Sequence, residues 1–480
     1  MITKLKPYTL MKASGIDWLG EIPEHWNVKR GKYIFVCIDK RSETGEEELL
    51  TVSGANGVIP RRSTKVTMFK AESYVGHKLC WPNDLVINSL WAWGRGLGFA
   101  NHHGIVSTAY GVYRLRTPRE ASPRYLHLLV RSQAYHWELR VRSRGIWISR
   151  LQLTDEAFLD SKLPLPPPQE QEAIVRYLNN INRRIKQLVR SKRKLISLLT
   201  EQKQVIINKA VTSGLDPNVS FKEANSEWLE QLPQHWEIAR LKDAAVVQTG
   251  ITLGKNYKSL ETNSYPYLRV ANVQAGRVDL RKIKRVNVPK ADAQSSTLKA
   301  GDVLITEGGD IDKLGRGCVW HDEIPGCLHQ NHVFAVRCKP DLLEPDFLSG
   351  LLASQYGRIY FELTAKKTTN LASTNSTTVR AFPIMLPPIS EQKTILKEID
   401  NQSAALNKAQ EDAENEIELL NKLLSRLIND VVTGKLDVRE AAANLPEVDQ
   451  LAEAGGSIDD TLDLEADSDE FHEDLEEVEA

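Results

Sequence analysis

The chain has 480 residues, 41% hydrophobic and 26% charged, a composition of globular type with room for two or three domains. No run of 18 apolar residues reads as a membrane span, Lys4, Lys6 and Lys12 interrupt any signal-like stretch, and five irregularly spaced cysteines argue against a disulfide framework, so a cytoplasmic protein is expected. The net charge of −1 hides a division: 15 acidic residues and no Lys or Arg lie from Glu447 onward, and removing those 15 charges leaves residues 1–446 at +14, a basic body suited to a nucleic-acid partner.

The first motif in chain order is WLGEIPEHW at 18–26. From there to about residue 163, short apolar runs are broken by Gly, Pro, Asn and Asp. YIFVCI, DLVINSL and YGVYRL read as strands, and YLHLLVRSQAYHWEL as one amphipathic helix. LPPPQEQ at 165–171 then opens a segment free of Gly and Pro that runs from Gln169 to about Lys209. Alternating steps of four and three from Ile174 reach Leu178, Ile181, Ile185, Leu188, Lys192, Leu195, Leu199, Gln202, Ile206 and Lys209, eight of the eleven being apolar. That narrow stripe predicts a coiled-coil helix, closed by VTSGLD at 211–216.

The same order then returns. WLEQLPQHW at 228–236 repeats Trp, Leu, Pro, His and Trp at an offset of 210. YPYLRV, DVLIT and HVFAVR read as strands, and DFLSGLLASQYGRIYFEL as one helix capped by Asp346. LPPISEQ at 386–392 and VTGKLD at 432–437 follow at an offset of 221. Carried to Ile395, the heptad frame again meets eight apolar residues in eleven, between Ser390 and about Asp430. The first long helix carries ten basic and three acidic residues and the second five and nine, so opposite charge favours pairing with each other. Packing of each stripe on its own domain is the alternative.

These readings predict α/β architecture plus long α-helices: two mixed α/β domains joined by two long helices, with a pseudo-two-fold internal repeat; if the helices pair as an antiparallel coiled coil, the domains lie at opposite ends of a rod. Each helix would be roughly 60 Å long, so the pair would be a ruler of at most about 18 base pairs. Beyond Leu445 the chain is acidic and poor in large apolar residues, which predicts a disordered tail, either solubilising or competing with DNA for the basic surface.

Taken together, the paired W-L-x-x-[IL]-P-x-H-W entries, the L-P-P-x-x-E-Q helix openings and the V-T-x-x-L-D exits resemble the specificity subunit of type I restriction-modification systems, the HsdS family. The stretch DLVINSLWAWGRGLGFANHHGIVSTAYGVYRL at 84–115 is also similar to one common in such subunits. The resemblance covers about residues 8–440 and does not include the acidic tail. It implies a first target recognition domain over 1–168, a first spacer helix over 169–210, a linker and second recognition domain over 211–389, a second spacer helix and exit over 390–439, and the tail over 440–480. It further implies that each domain reads one half of a bipartite double-stranded DNA target, while the helices set the gap and dock two methyltransferase subunits. Restriction subunits would join the complex. S-adenosylmethionine, ATP and Mg2+ would belong to those partners, so this chain would be non-catalytic and bind no cofactor itself. The competing reading is a divergent DNA-modifying or DNA-cutting enzyme.

Catalytic motifs are sparse. GITLGKN at 250–256 has the wrong spacing for a phosphate loop, no NPPY-like loop occurs, and the DIDK run at 310–313 lacks a preceding carboxylate partner. Cys318, His321, Cys327, His329 and His332 cluster within fifteen residues but match no standard zinc spacing, so no metal is expected. Candidate DNA readers are better placed, because base edges are met by Arg, Lys, amide and hydroxyl side chains on positioned loops. In the first half these are Trp91, Trp93 and Arg95 after a strand, with Ser107, Thr108 and Tyr110 before the next. At the equivalent place in the second half stand His329, Gln330, Asn331 and His332, joined as candidates by Arg269, Asn272, Lys313 and Arg316. For each, a structural role is the alternative. Arg183, Arg184, Arg190, Lys192, Arg193 and Lys194 on the first helix are expected to be solvated or to meet phosphates or acidic groups of a partner. Trp18, Pro23, His25 and Trp26, with Trp228, Pro233, His235 and Trp236, are expected to seat each domain entry against helix ends.

Overall fold

A computed structural model describes residues 5–54, 56–63, 73–145, 151–226, 229–252, 254, 257, 260–309, 314–315, 317–367 and 372–445. The expected acidic tail, Trp228, the DIDK run and the candidates Lys313 and Arg316 lie outside the described residues. Two compact units divide the chain, one from residues 1–193 with 414 onward and one from 194–413. The unit boundaries therefore fall within the long helices rather than at their ends, and each unit holds one α/β domain with a stretch of both helices.

In the first unit, β1 (Phe35–Cys37), β2 (Leu85–Asn88), β3 (Leu97–Phe99) and β4 (Tyr110–Leu115) form an antiparallel sheet in the order β1-β4-β2-β3. The apolar run in DLVINSL is explained by burial of both sheet faces. Leu85 and Ile87 enter the main core with Phe35, Tyr113 and Phe158, while Val86, between them, faces a smaller core with Val52, Cys80 and Val112. Helices α1 (Pro123–Val130) and α2 (Gln133–Arg142) follow, then the 46-residue helix α3 (Pro168–Ser213).

In the second unit, β5 (Ala245–Thr249), β6 (Asn263–Leu268), β7 (Lys284–Val288), β8 (Asp302–Thr306), β9 (Gly317–Val319), β10 (Leu328–His329) and β11 (Val333–Cys338) precede α4 (Pro345–Ala353), α5 (Gln355–Thr364) and the 44-residue α6 (Ile389–Val432). Its main sheet runs β5-β11-β8-β9, the same order as the first. The burial pattern repeats too: Val303 and Ile305 enter the main core and Leu304 the smaller one. This unit also has a second sheet, β7-β6-β10, whose β6 and β10 are parallel. It closes a separate core of Ile251, Tyr267, Val288, Ala293 and Leu328.

Four local expectations are corrected. The helix expected over YLHLLVRSQAYHWEL is two helices, because Ser132 is extended (φ −67°, ψ 155°) and its Oγ accepts a bond from Tyr135 N at 3.3 Å. Ser354 divides α4 from α5 in the same way, accepting from Gly357 N at 3.2 Å. The cap position of α4 is Glu344 with Pro345 in the first turn, so Asp346 lies inside the helix rather than capping it. YPYLRV stops being a strand at Leu268 and turns into a 3-10 segment, Val270–Asn272.

The shared motifs meet at one carboxylate in each unit. Glu170, 5% exposed, accepts from Tyr8 Oη at 2.5 Å and Trp26 Nε1 at 2.9 Å, and its other oxygen pairs with His25 Nε2 at 2.6 Å. Glu391 accepts from Trp236 Nε1 at 3.1 Å and pairs with His235 Nε2 at 2.8 Å. The adjoining Gln171 accepts from Ser122 N and donates to Glu120 and Pro166 carbonyls, and Gln392 makes the same three contacts with Glu344, Leu342 and Pro387. The helix exits close these joints, since Gly434 (φ +78°) lies against Pro23 and Trp26, and Gly214 (φ +75°) against Trp236. Asp437 N donates to Lys6 O at 2.9 Å. Shifting Lys6 by 210 or Asp437 by −221 gives the same residue, Asp216, so a hydrogen bond in one unit stands where the other has continuous chain.

Burial along the long helices follows a stripe one residue off the heptad frame in places. Leu188, Leu195 and Leu423, expected inside, are 51%, 40% and 41% exposed, whereas Val189 and Leu424 are 8% and 1% exposed. A straight helix has 3.6 residues per turn, so a 3.5-residue frame drifts off its buried face within a few turns. In the first unit Lys192 Nζ pairs with Glu416 Oε2 at 2.6 Å. In the second, Lys203 Nζ donates to Asn407 Oδ1 at 2.9 Å while Gly214 approaches Glu391, so the two helical segments run in opposite directions there. Among the described residues no helix is long and apolar enough to cross a membrane.

Candidate nucleic-acid interface

One ion pair on a buried carboxylate fixes the sheet that carries each candidate turn. Asp84, 1% exposed, receives Arg114 Nε and Nη2 at 2.8 Å each and Trp81 N at 2.9 Å. Asp302, also 1% exposed, receives Arg337 Nε and Nη2 at 2.8 and 2.6 Å and Lys299 N at 2.8 Å. These bidentate pairs tie Asp84, immediately before β2, to β4, and β8 to β11, the strands whose far ends carry the candidate turns. In the first unit the turn closes through Tyr110 N to Ser107 O at 3.0 Å, and Tyr110 pairs with Asn88 at the end of β2. In the second it closes through Val333 N to Gln330 O at 2.8 Å, and Val333 pairs with Thr306 at the end of β8. Ser107 and Thr108 thus occupy the places of Gln330 and Asn331, so the same turn presents hydroxyls in one domain and amides in the other.

Thr108 is exposed, and Ser107, Tyr110, Gln330 and Asn331 are half-buried. Ser107 Oγ accepts from Ala109 N at 3.3 Å, and Tyr110 Oη accepts from Asn88 Nδ2 at 3.3 Å, its phenol pushed up by burial. Arg95 is half-buried and holds a left-handed conformation (φ +64°) at the end of the short 3-10 segment Ala92–Gly94.

Several candidates have structural roles instead. The Trp91 ring packs across Gly54, Gly94 and Gly96, where a Cβ would come within 3.3, 2.2 and 3.0 Å of it, so its indole fills a backbone crevice. Trp93 Nε1 donates to Leu90 O at 3.0 Å, and its carbonyl meets His136. Asn272 is 3% exposed, with Oδ1 accepting from Arg269 N and Nδ2 donating to the carbonyls of Asp279 and Lys282, so its amide is occupied in holding a loop. His329 is fully buried, bonded through Nδ1 to Val333 O at 2.7 Å, with its pKa lowered by burial. Arg269 is half-buried and brackets the same loop through its backbone.

Cys318 and Cys327 lie in the apolar core with Trp320, their thiols pushed up to about 12 by burial. Among the described residues no group of three His, Cys, Asp or Glu side chains is arranged to hold a metal ion. On α3, Arg184, Arg190, Arg193 and Lys194 are exposed, Arg183 is half-buried, and Lys192 is engaged with Glu416. The fold also reveals a basic strip outside the polar loops. Arg281, Lys282, Lys284, Arg285 and Lys290 are exposed along and beside β7, an edge strand of the second sheet. Its sequence signal was the run RKIKR at 281–285.

Comparison with known proteins agrees with this architecture. Residues 233–419 match the family described as "Type I restriction modification DNA specificity domain". The chain is 27% identical over 220 residues to the putative type I restriction enzyme MjaX specificity subunit of Methanocaldococcus jannaschii, a match covering 44% of this chain and 49% of that one. The chain thus spans about half the length of that relative. It is 25% identical over 440 residues to the type I restriction enzyme MjaVIII specificity subunit of the same organism, covering 87% and 94% of the two chains. A solved chain from work on "complex assembly" and "conformational transition of the type I R-M system" aligns with a TM-score of 0.57 and 16% identity, covering 86% of this chain and 99% of that one. At that identity the likeness speaks to the fold.

Proposed function

We propose that the chain is a specificity subunit of the type I restriction-modification kind, the DNA-reading component of such a complex, as its likeness to that family over residues 233–419 and to a relative over 440 residues supports. Each α/β domain reads one half of a bipartite duplex site. The long helices form an antiparallel coiled coil that sets the gap between the halves, and two methyltransferase subunits dock along it, with restriction subunits joining the complex. Exposed Leu188, Leu419 and Leu423, and in the other unit Leu195, Leu198 and Val205, offer apolar contacts for those partners. The chain itself performs no chemistry. S-adenosylmethionine, ATP and Mg2+ act in the partners.

The observation that carries this reading is one turn at the end of one sheet, repeated in both units with different side chains. A repeated scaffold gives a two-part site, and Ser107 and Thr108 against Gln330 and Asn331 give two different parts. Arg95 and Thr108 serve as readers in the first half, and Gln330 and Asn331 in the second. Arg281, Lys282, Lys284 and Arg285 supply phosphate contacts that position the second domain.

The test is to co-express the chain with its methyltransferase subunit and map methylated adenines genome-wide. A bipartite motif is expected, and replacing residues 84–115 with the equivalent segment of a relative should change one half of it only. Altered recognition of both halves would contradict modular reading. S-adenosylmethionine or ATP binding by the isolated chain would favour an enzyme of its own.

A further inference from the structure

We propose that His332 accepts a hydrogen bond, through Nε2, from the exocyclic amine of one base in the half-site met by the second domain, and that Glu307 is the positioning residue that gives it this role. The inference rests on the DNA-reading function proposed above and specifies the chemistry of one contact.

The turn that presents His332 is pinned from several sides. Gln330 N donates to Leu268 O and Asn331 N to Ile251 O, each at 2.9 Å, and Glu307 N donates to His332 O at 2.9 Å. Behind it, a Cβ on Gly250 would lie 1.9 Å from His329 O, so the two backbones are as close as glycine permits. Glu307 is held in turn by Thr374 N, which donates to its carbonyl at 2.7 Å. A side chain on such a platform is presented with little conformational freedom, which favours reading over mere proximity.

The side chain itself is 54% exposed, and its Nδ1 pairs with Glu307 Oε2, a carboxylate on a side chain only 29% exposed. An ionised carboxylate can only accept, so Nδ1 carries the proton. In the neutral ring Nε2 is then a lone-pair acceptor. Phosphate oxygens are acceptors as well and cannot partner it. The major-groove groups that can are the N6 amine of adenine and the N4 amine of cytosine. The strand pairings place Ala109 and Ser89 at the corresponding positions of the first domain, so the device belongs to the second domain alone.

The experiment uses the chain in complex with its methyltransferase subunit and measures binding to duplexes varied at each target position. His332→Ala should relax the preference at one base pair of one half-site about tenfold and leave the other half-site unchanged. Replacing that adenine by purine, or that cytosine by pyrimidin-2-one, should cost the unaltered complex the same factor and the His332→Ala complex nothing more. Glu307→Gln presents an amide that can donate to Nδ1 as well as accept from it, so the proton is no longer confined to Nδ1 and Nε2 can donate. Guanine or thymine at the same pair should then be bound better than by the unaltered complex, a gain that loss of structural support would not produce. Unchanged preference in His332→Ala, or equal weakening on every sequence, would overturn the assignment. An unaltered complex with no sequence preference would instead defeat the DNA-reading proposal on which it rests.

Discussion

Glu170 accepts two hydrogen bonds and pairs with a histidine while 5% exposed, so little water is at hand to replace a lost partner. Glu391 makes two such contacts with a side chain 29% exposed. Removing a buried acceptor leaves its donors unpaired, at about 1–3 kcal/mol for each group. Glu170→Ala should therefore destabilise the chain by about 3 kcal/mol and Glu391→Ala by about half as much, read as shifts in the urea midpoint of the unit that holds each residue. Losses under about 0.5 kcal/mol in both would show that the motif does not hold the joint. The entry tryptophans and histidines were recognisable as structural because they recur, but their common partner was not. His25 and Glu170 are 145 residues apart, and no local pattern links them. Asn272 marks the same limit from the other side: an amide in a loop after a strand looks like a base reader until its burial and three internal bonds are seen.

At the scale of elements, the long helices were legible because absent Gly and Pro and a sustained apolar stripe are properties of the local sequence. The sheet strands were legible for a related reason: an apolar run such as DVLIT predicts a strand covered on both faces, and Leu304 faces a different core from its neighbours. Which residue of an adjacent apolar pair points inward was not legible, because it depends on how far each helix has rotated where it meets its neighbours. Leu423 and Leu424 separate the two frames. Leu424→Ala should cost about 2–5 kcal/mol and Leu423→Ala less than about 0.5 kcal/mol in the chain alone, measured by chemical denaturation. The reverse order would restore the strict heptad. Ser132 and Ser354 show a second limit, since a helix-compatible apolar pattern continued across both and the break came from their cap geometry.

For the whole molecule, the spacing role proposed for the helices has a direct consequence. Inserting seven residues in each, opposite one another, adds about 10 Å, or about three base pairs of B-form DNA. The gap between the two halves of the methylated motif should lengthen accordingly while each half keeps its sequence, as read by mapping modified adenines. An unchanged gap would reject the helical ruler. The sequence by itself determined that there are two copies of one module, in what order their strands and helices occur, and which segments are long helices, because repeats and periodicity are written in neighbouring residues. Only the tertiary structure decided that His25, Trp26 and Tyr8 converge on Glu170, that Asn272 and His329 are buried while His332 is exposed beside Glu307, and that each compact unit draws on both long helices. Those facts depend on contacts between residues far apart in the chain, and a single sequence records which side chains are available without recording which of them meet.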